Sequence, residues 1–289
     1  MIIAALATLF QTIKRFAMFV LNQGRYVKVL GAYYDILQLE EHPEELNQAK
    51  ANSISLENVE YQYPQSDLTA LKDVSIDFKI GQKVAVVGHN GSGKTTFVSV
   101  ILNLLKSQKG VLNTKGVVVS SLFQDFGCYQ MTVRENVEMG IGGKKIADDE
   151  LISILKKVDM YDFIMSKEKG LDSMLGQFED GEELSKGQWQ RLAIARLLAN
   201  KDANVWILDE PTAYLDPIAE VEVYKLIFDL SENRLVFFVS HRLGFAKYSD
   251  RIIVLENGTI IEDGSHEDLT AKKNGRYAEM FESQRKWYT

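Results

Sequence analysis

KVAVVGHNGSGKTTFVSVILNLL, residues 83–105, sets an apolar run, a glycine-rich turn and a helical pattern in immediate succession. The run KVAVV reads as a buried strand, and TTFVSVILNLL carries the spacing of a helix packed on one side. Between them, Gly88 to Thr96 (GHNGSGKTT) fits G-x-x-x-x-G-K-[ST] in the strand-to-helix context that this motif needs. Glycines let successive backbone N–H groups turn towards an anion, and the helix that follows adds the positive end of its dipole. In such a phosphate cradle Lys94 reaches β- and γ-phosphates and the Thr95 hydroxyl ligates Mg²⁺, so ATP with Mg²⁺ is the expected ligand. Gly88, Asn90, Gly91, Ser92, Gly93 and Thr96 complete the cradle, with His89 read as a variable position and not a catalyst.

Outward from this loop, ISLENVEYQY and LKDVSIDFKI alternate apolar and polar residues as half-buried strands do. Later apolar runs, VVVSSLF, NVWILDE, RLVFFVS and RIIVLENG, are separated by helical stretches, which implies a mostly parallel sheet covered on both faces. Residues 132–200 are rich in helical patterns such as DDELISILKKV and KGQWQRLAIARLLA, and read as a helical insertion. VWILDE (205–210) ends a buried strand in two carboxylates, at the strand end where α/β sheets place ligands. Asp209 suits a hold on Mg²⁺, and Glu210 suits the polarising of an attacking water.

The net charge of −7 argues against a nucleic-acid partner, whose phosphates require clustered Lys and Arg. The single cysteine, Cys128, excludes an internal disulfide and a cysteine metal cluster, and reads as a small buried apolar residue in a reducing compartment. Residues 1–21 are apolar but carry Lys14 and Arg15 in the middle, which interrupts the uncharged stretch that a membrane-spanning helix needs. A signal peptide fits poorly, because the positive charges follow the apolar residues. Up to His42-Pro43 the pattern supports one interrupted helix, about 60 Å long at 1.5 Å per residue, whose apolar positions need a partner surface. The polar joint at 40–53 places a domain boundary there: a helical arm over 1–50 and a globular domain over 51–289.

ELSKGQWQRLAIARLL (183–198) resembles the signature sequence of ATP-binding-cassette (ABC) proteins, usually LSGGQ followed by a helix. The resemblance implies a P-loop NTPase fold with a parallel-sheet core, a small antiparallel β subdomain and an inserted helical subdomain. It also implies a head-to-tail homodimer in which Leu184, Ser185, Lys186, Gly187 and Gln188 grip the ATP of the opposite subunit. Further elements, in family order, cover roughly residues 53–285. Tyr63 looks like the aromatic that stacks on adenine, with Tyr61 as the alternative. Gln124 looks like the Q-loop residue that reaches Mg²⁺ and the attacking water, Asp216 like the D-loop residue of the dimer interface, and His241 like the switch histidine on the γ-phosphate. Lys186 departs from the usual glycine and Tyr214 from the usual small neighbourhood. The first puts the phosphate grip or the turnover rate in question, the second the dimer contact.

Residues 1–50 resemble the junction between the last membrane helix of an exporter and its motor domain. GQFEDGEELSKGQWQRLAIARLL resembles the cassettes of bacterial peptide exporters. The resulting expectation is an ATPase motor, or carboxyl-terminal portion of a half-transporter, on the cytoplasmic face of the membrane, partnered by a transmembrane domain and moving a peptide cargo. A separately encoded motor, a soluble non-transport cassette and an ATP-gated scaffold are the alternatives.

Overall fold

The computed structural model describes residues 53–64, 66–123, 125–176, 183–212, 217–240 and 243–285. The helical arm expected over 1–50 lies outside the described residues. Two sheets carry the domain. The smaller is antiparallel, in the order β2 (Thr69–Lys79), β1 (Ser53–Gln62), β4 (Lys109–Asn113). The larger runs β5 (Val119–Leu122), β6 (Val205–Asp209), β7 (Leu235–Val239), β3 (Lys83–Val87), β8 (Arg251–Glu256), β9 (Thr259–Gly264). Its strands are parallel except β9, which returns antiparallel along β8.

Two separate cores explain why the central strands read as continuous apolar runs. In β3, Ala85 and Val87 enter one core while Val84 and Val86 enter the other. Trp206 and Leu208 alternate in the same way with Val205 and Ile207, and Val236 and Phe238 with Leu235, Phe237 and Val239. Period-2 geometry with both faces covered leaves no room for a polar residue.

Helix α1 (Lys94–Ile101) follows the glycine-rich loop and is gripped between the sheets. Phe97 on α1 meets Phe78 of β2 and Phe237 of β7 edge to face, with centroids 6.2 and 6.5 Å away, and Phe78 and Phe237 lie 4.7 Å apart. All three rings are 0% exposed, and truncating such a phenylalanine costs roughly 3–5 kcal/mol. That packing fixes the start of α1 beneath the loop.

The expected helical insertion is present as α2 (Val133–Glu138), α3 (Asp148–Lys157), α4 (Tyr161–Met165) and α5 (Lys186–Ala199). Helix α6 (Pro217–Leu230) joins β6 to β7, and α7 (His266–Ala271) and α8 (Arg276–Arg285) close the chain. Among the described residues no helix is long and apolar enough to cross a membrane.

Candidate functional site

A cavity of about 790 Å³ opens at the carboxyl ends of β3 and β6. Asn90, Gly91, Gly93, Lys94, Thr95 and Thr96 of the glycine-rich loop line it, with Asp209 and Glu210 opposite and Tyr63 at one side. The structure therefore brings together residues nearly 150 positions apart. Gly88 and His89 border an adjoining cavity instead, and Ser92 borders neither. Leu184 to Gln188 are also absent from its walls. Gln124, Asp216 and His241 lie outside the described residues.

The loop's glycines are required by space as well as by dihedral angle. At Gly93 φ is +104°, and an added Cβ would sit 2.8 Å from the Ala70 carbonyl oxygen. At Gly88 φ is +151°, and a Cβ would fall 2.3 Å from the Leu255 carbonyl oxygen. Lys94, only 8% exposed, folds back so that Nζ donates to the carbonyls of Gly88 (2.8 Å) and His89 (3.0 Å). Burial pulls its ammonium below the usual lysine range, against the opposing pull of Glu210 and Asp209. The Ser92 hydroxyl is buried without a hydrogen-bond partner among the described residues.

Across the cavity, burial first and Glu210 second push the Asp209 carboxyl up to about 6, with Lys94 pulling the other way. Glu210 itself sits at φ +49° while its N–H donates to the Val239 carbonyl (2.9 Å). Positive φ is costly for a residue with a Cβ, and such strain concentrates at functional sites.

Tyr63 stands just beyond β1, 42% exposed at the cavity edge, while Tyr61 is 5% exposed in the core. Their rings meet edge to face at 5.0 Å, and the Tyr63 hydroxyl lies 3.1 Å from Thr96 Oγ1. Of the two tyrosines only Tyr63 faces the cavity.

The expected signature segment begins α5. Ser185 accepts from the Gln188 N–H (3.2 Å) and the Gln188 side chain accepts from the Ser185 N–H (2.8 Å), a reciprocal cap. Near the other end of α5, Arg196 donates to the carbonyls of Gly127 (2.6 Å) and Asn136 (3.2 Å) and to Asn136 Oδ1 (2.7 Å). Helix α5 is thereby fastened to the segment that follows Gln124.

Residues 71–213 match the family model described as ABC transporter. The domain belongs to the ABC transporter family. The chain is 35% identical over 246 residues to the nisin transport ATP-binding protein of Lactococcus lactis subsp. lactis, taking in 80% of this chain and 40% of that protein. It is 35% identical over 281 residues to the subtilin transport ATP-binding protein of Bacillus subtilis, covering 91% of this chain and 45% of that one. A solved structure of a bacterial Atm1-family ABC exporter with ATP bound matches with a TM-score of 0.73 at 27% identity, over 89% of this chain and 47% of the other. The chain thus spans less than half the length of these relatives.

The ABC transporter domain also uses residues that were not singled out in its sequence. Asn257 and Gly258 line the cavity from the β8–β9 turn, with φ +50° and +81°. The Gly258 N–H donates to the Ser92 carbonyl (3.0 Å), and its own carbonyl accepts from the Lys72 N–H (2.8 Å). A hairpin turn therefore buttresses the glycine-rich loop. An Asn-Gly pair between two strand patterns is the signal that marks such a turn.

Proposed function

We propose that the chain is the ATP-binding and ATP-hydrolysing motor of an ABC exporter. The cavity suits ATP: Tyr63 offers a ring for adenine, and the loop offers backbone N–H groups and Lys94. The donor set suits Mg²⁺ brought in on the phosphates, since Thr95, Asp209 and Gln124 would provide a few oxygen ligands and a cation would relieve the raised Asp209 carboxyl. When bound there, the ion would offset negative charge on the phosphoryl group in transfer.

Lys94, whose ammonium donates to two loop carbonyls, would exchange them for phosphate oxygens. Glu210 orients the attacking water for in-line displacement, and His241 contacts the γ-phosphate. Ser185, Lys186 and Gly187 grip the ATP of a second copy, and Asp216 organises the contact between copies. The observation that carries the hydrolytic reading is Glu210 itself, an acid held at φ +49° at the cavity mouth facing Lys94.

ATP binding closes the two copies, and hydrolysis with product release opens them, because ATP has greater affinity for the closed dimer. That cycle drives a transmembrane partner while the motor stays on the cytoplasmic face of the membrane. A peptide cargo is supported by the relatives named for nisin and subtilin transport.

The test compares phosphate release and light-scattering mass with MgATP for wild type and Glu210→Gln. Turnover lower by roughly 10²–10⁴-fold, with a dimer that persists in the variant, is the expected result. Equal turnover in both proteins would remove Glu210 from the chemistry and sink the hydrolytic reading.

A further inference from the structure

At the amino-terminal edge of β6 and β7, the opposite end of the parallel strands from the phosphate loop, lies a second polar cavity of about 280 Å³. Its walls include Glu150, Ser153 and Lys157 of α3, Lys201 beyond α5, Trp206 of β6 and Arg234 before β7. Two of these groups are left unexplained by the fold. The Trp206 ring is 1% exposed, yet its indole N–H has no hydrogen-bond acceptor among the described residues. A buried donor without a partner is costly, and native structures rarely leave one.

Arg234 is the other. Its Nε donates to the Ala203 carbonyl and its Nη1 to the Leu230 carbonyl, each at 2.9 Å, and the guanidinium lies 4.7 Å above the Trp206 ring. Capping of α6 through Leu230 accounts for Nη1. Nη2 has no hydrogen bond and the guanidinium no carboxylate partner among the described residues. Lys157 ends α3 beside it, and Lys201 is paired with Glu150 at 2.7 Å. Three cations thus face one carboxylate in a chain whose net charge is −7. A guanidinium fork immobilised over the Trp206 ring and an ammonium together form a donor set for a tetrahedral oxyanion.

We propose that this cavity is a binding site for a small phosphate-type oxyanion, held by Arg234 and Lys157, with the Trp206 ring fixing Arg234. The volume admits inorganic phosphate with water, or a phosphate carrying a small organic remainder. Bound there, the anion bridges helix α3 of the inserted subdomain to the start of β6 and stiffens the joint between the subdomain and the sheet. The site stands apart from the nucleotide cavity and does not depend on the chain hydrolysing ATP.

Thermal melts of the full chain in inorganic phosphate, against chloride at matched ionic strength, test it in wild type, Lys157→Gln, Trp206→Phe and Lys94→Ala. At ten times its dissociation constant, phosphate is expected to raise Tm by about 3–5 °C. The rise should be lost in Lys157→Gln, reduced in Trp206→Phe and kept in Lys94→Ala, whose phosphate loop is impaired. If Trp206→Phe does not fold, the exposed Lys157 carries the comparison alone. Identical melts in phosphate and chloride would overturn the proposal. So would a rise that disappears in Lys94→Ala but survives in Lys157→Gln, since phosphate would then be in the nucleotide cavity.

Discussion

Helix α1 starts from a glycine at φ +104°, with no side-chain cap and no acidic residue in its first turn. Helix α5 starts from Ser185 with a reciprocal Ser185–Gln188 cap, and α8 takes its cap from a distance, where Glu262 of β9 accepts the N–H groups of Arg276 (3.0 Å) and Tyr277 (2.8 Å). Every helix leaves its first N–H groups without intrahelical acceptors, so each start must be satisfied by something. In α5 and α8 the protein satisfies them itself. In α1 it leaves them to the cavity, and the consequence is a site whose stability and ligand are linked: an anion bound at α1 supplies the missing cap. Helix α5 needs no ligand to complete its start, because the Ser185–Gln188 cap already supplies one.

The strongest break in this comparison is Gly93→Ala. The added Cβ would meet the Ala70 carbonyl and the residue would have to remain at positive φ, so the loop cannot keep its path. Binding of a fluorescent ATP analogue is expected to be abolished, together with the rise in Tm that MgATP gives the wild type. A variant that binds normally would show that the loop's backbone path is not what presents the N–H groups.

Glu262→Gln comes next, because it exchanges a charged cap for a neutral one. Burial pushes the Glu262 carboxyl up, but the Tyr277 N–H, the Lys272 ammonium and the Arg276 N–H outweigh it and hold the group below the usual glutamate range. A carboxylate with a depressed folded value stabilises above its unfolded value near 4.5, and that contribution is lost as pH falls through the folded value. Hydrogen bonds to a charged acceptor are worth roughly 1.5–3 kcal/mol, so the variant should melt lower than wild type at pH 7. The gap should narrow below about pH 4.5. A gap that stays constant from pH 7 to pH 3 would mean that the charge of Glu262 is not what holds α8.

Ser185→Ala removes the local cap of α5 and is expected to cost about 1 kcal/mol, read as a lower denaturant midpoint with an unchanged slope. ATP affinity of the single domain should stay the same, since Ser185 does not line its own cavity. Weaker ATP binding by that domain would break the separation between the two helix starts.

These differences explain how far the sequence could be read. The glycine-rich loop, the carboxylate pair at 209–210 and the central strands were legible because each is a local pattern: a spaced glycine motif, or an apolar run covered on both faces. Strand β4 was missed because Lys109–Asn113 is nearly all exposed and exists only through pairing with β1, so it carries no alternation. Glu262 reaches its helix across 15 residues, and Arg196 ties α5 to Gly127 across 69. Contacts of that range leave no periodic trace. The Asn257-Gly258 pair was not singled out, and its place beside the glycine-rich loop follows only from β8 lying beside β3.

Lys186→Gln is the smallest change and the sharpest test of what α5 meets. A cation at the first position of a helix opposes the helix dipole, typically by about 0.3–1 kcal/mol at low salt, so neutralising it should leave the single domain as stable or slightly more so. If the start of α5 faces a partner's ATP, as proposed, the same cation attracts the phosphates, and its loss should weaken the ATP-dependent dimer by a few-fold at low ionic strength. The two effects have opposite signs, which general destabilisation cannot produce. The measurement is a denaturant midpoint without nucleotide, set beside light-scattering mass with MgATP in the Glu210→Gln background, at low and at high salt. A dimer that is unaffected at both salt concentrations would place Lys186 away from the phosphates and leave its departure from glycine without a role in the sandwich.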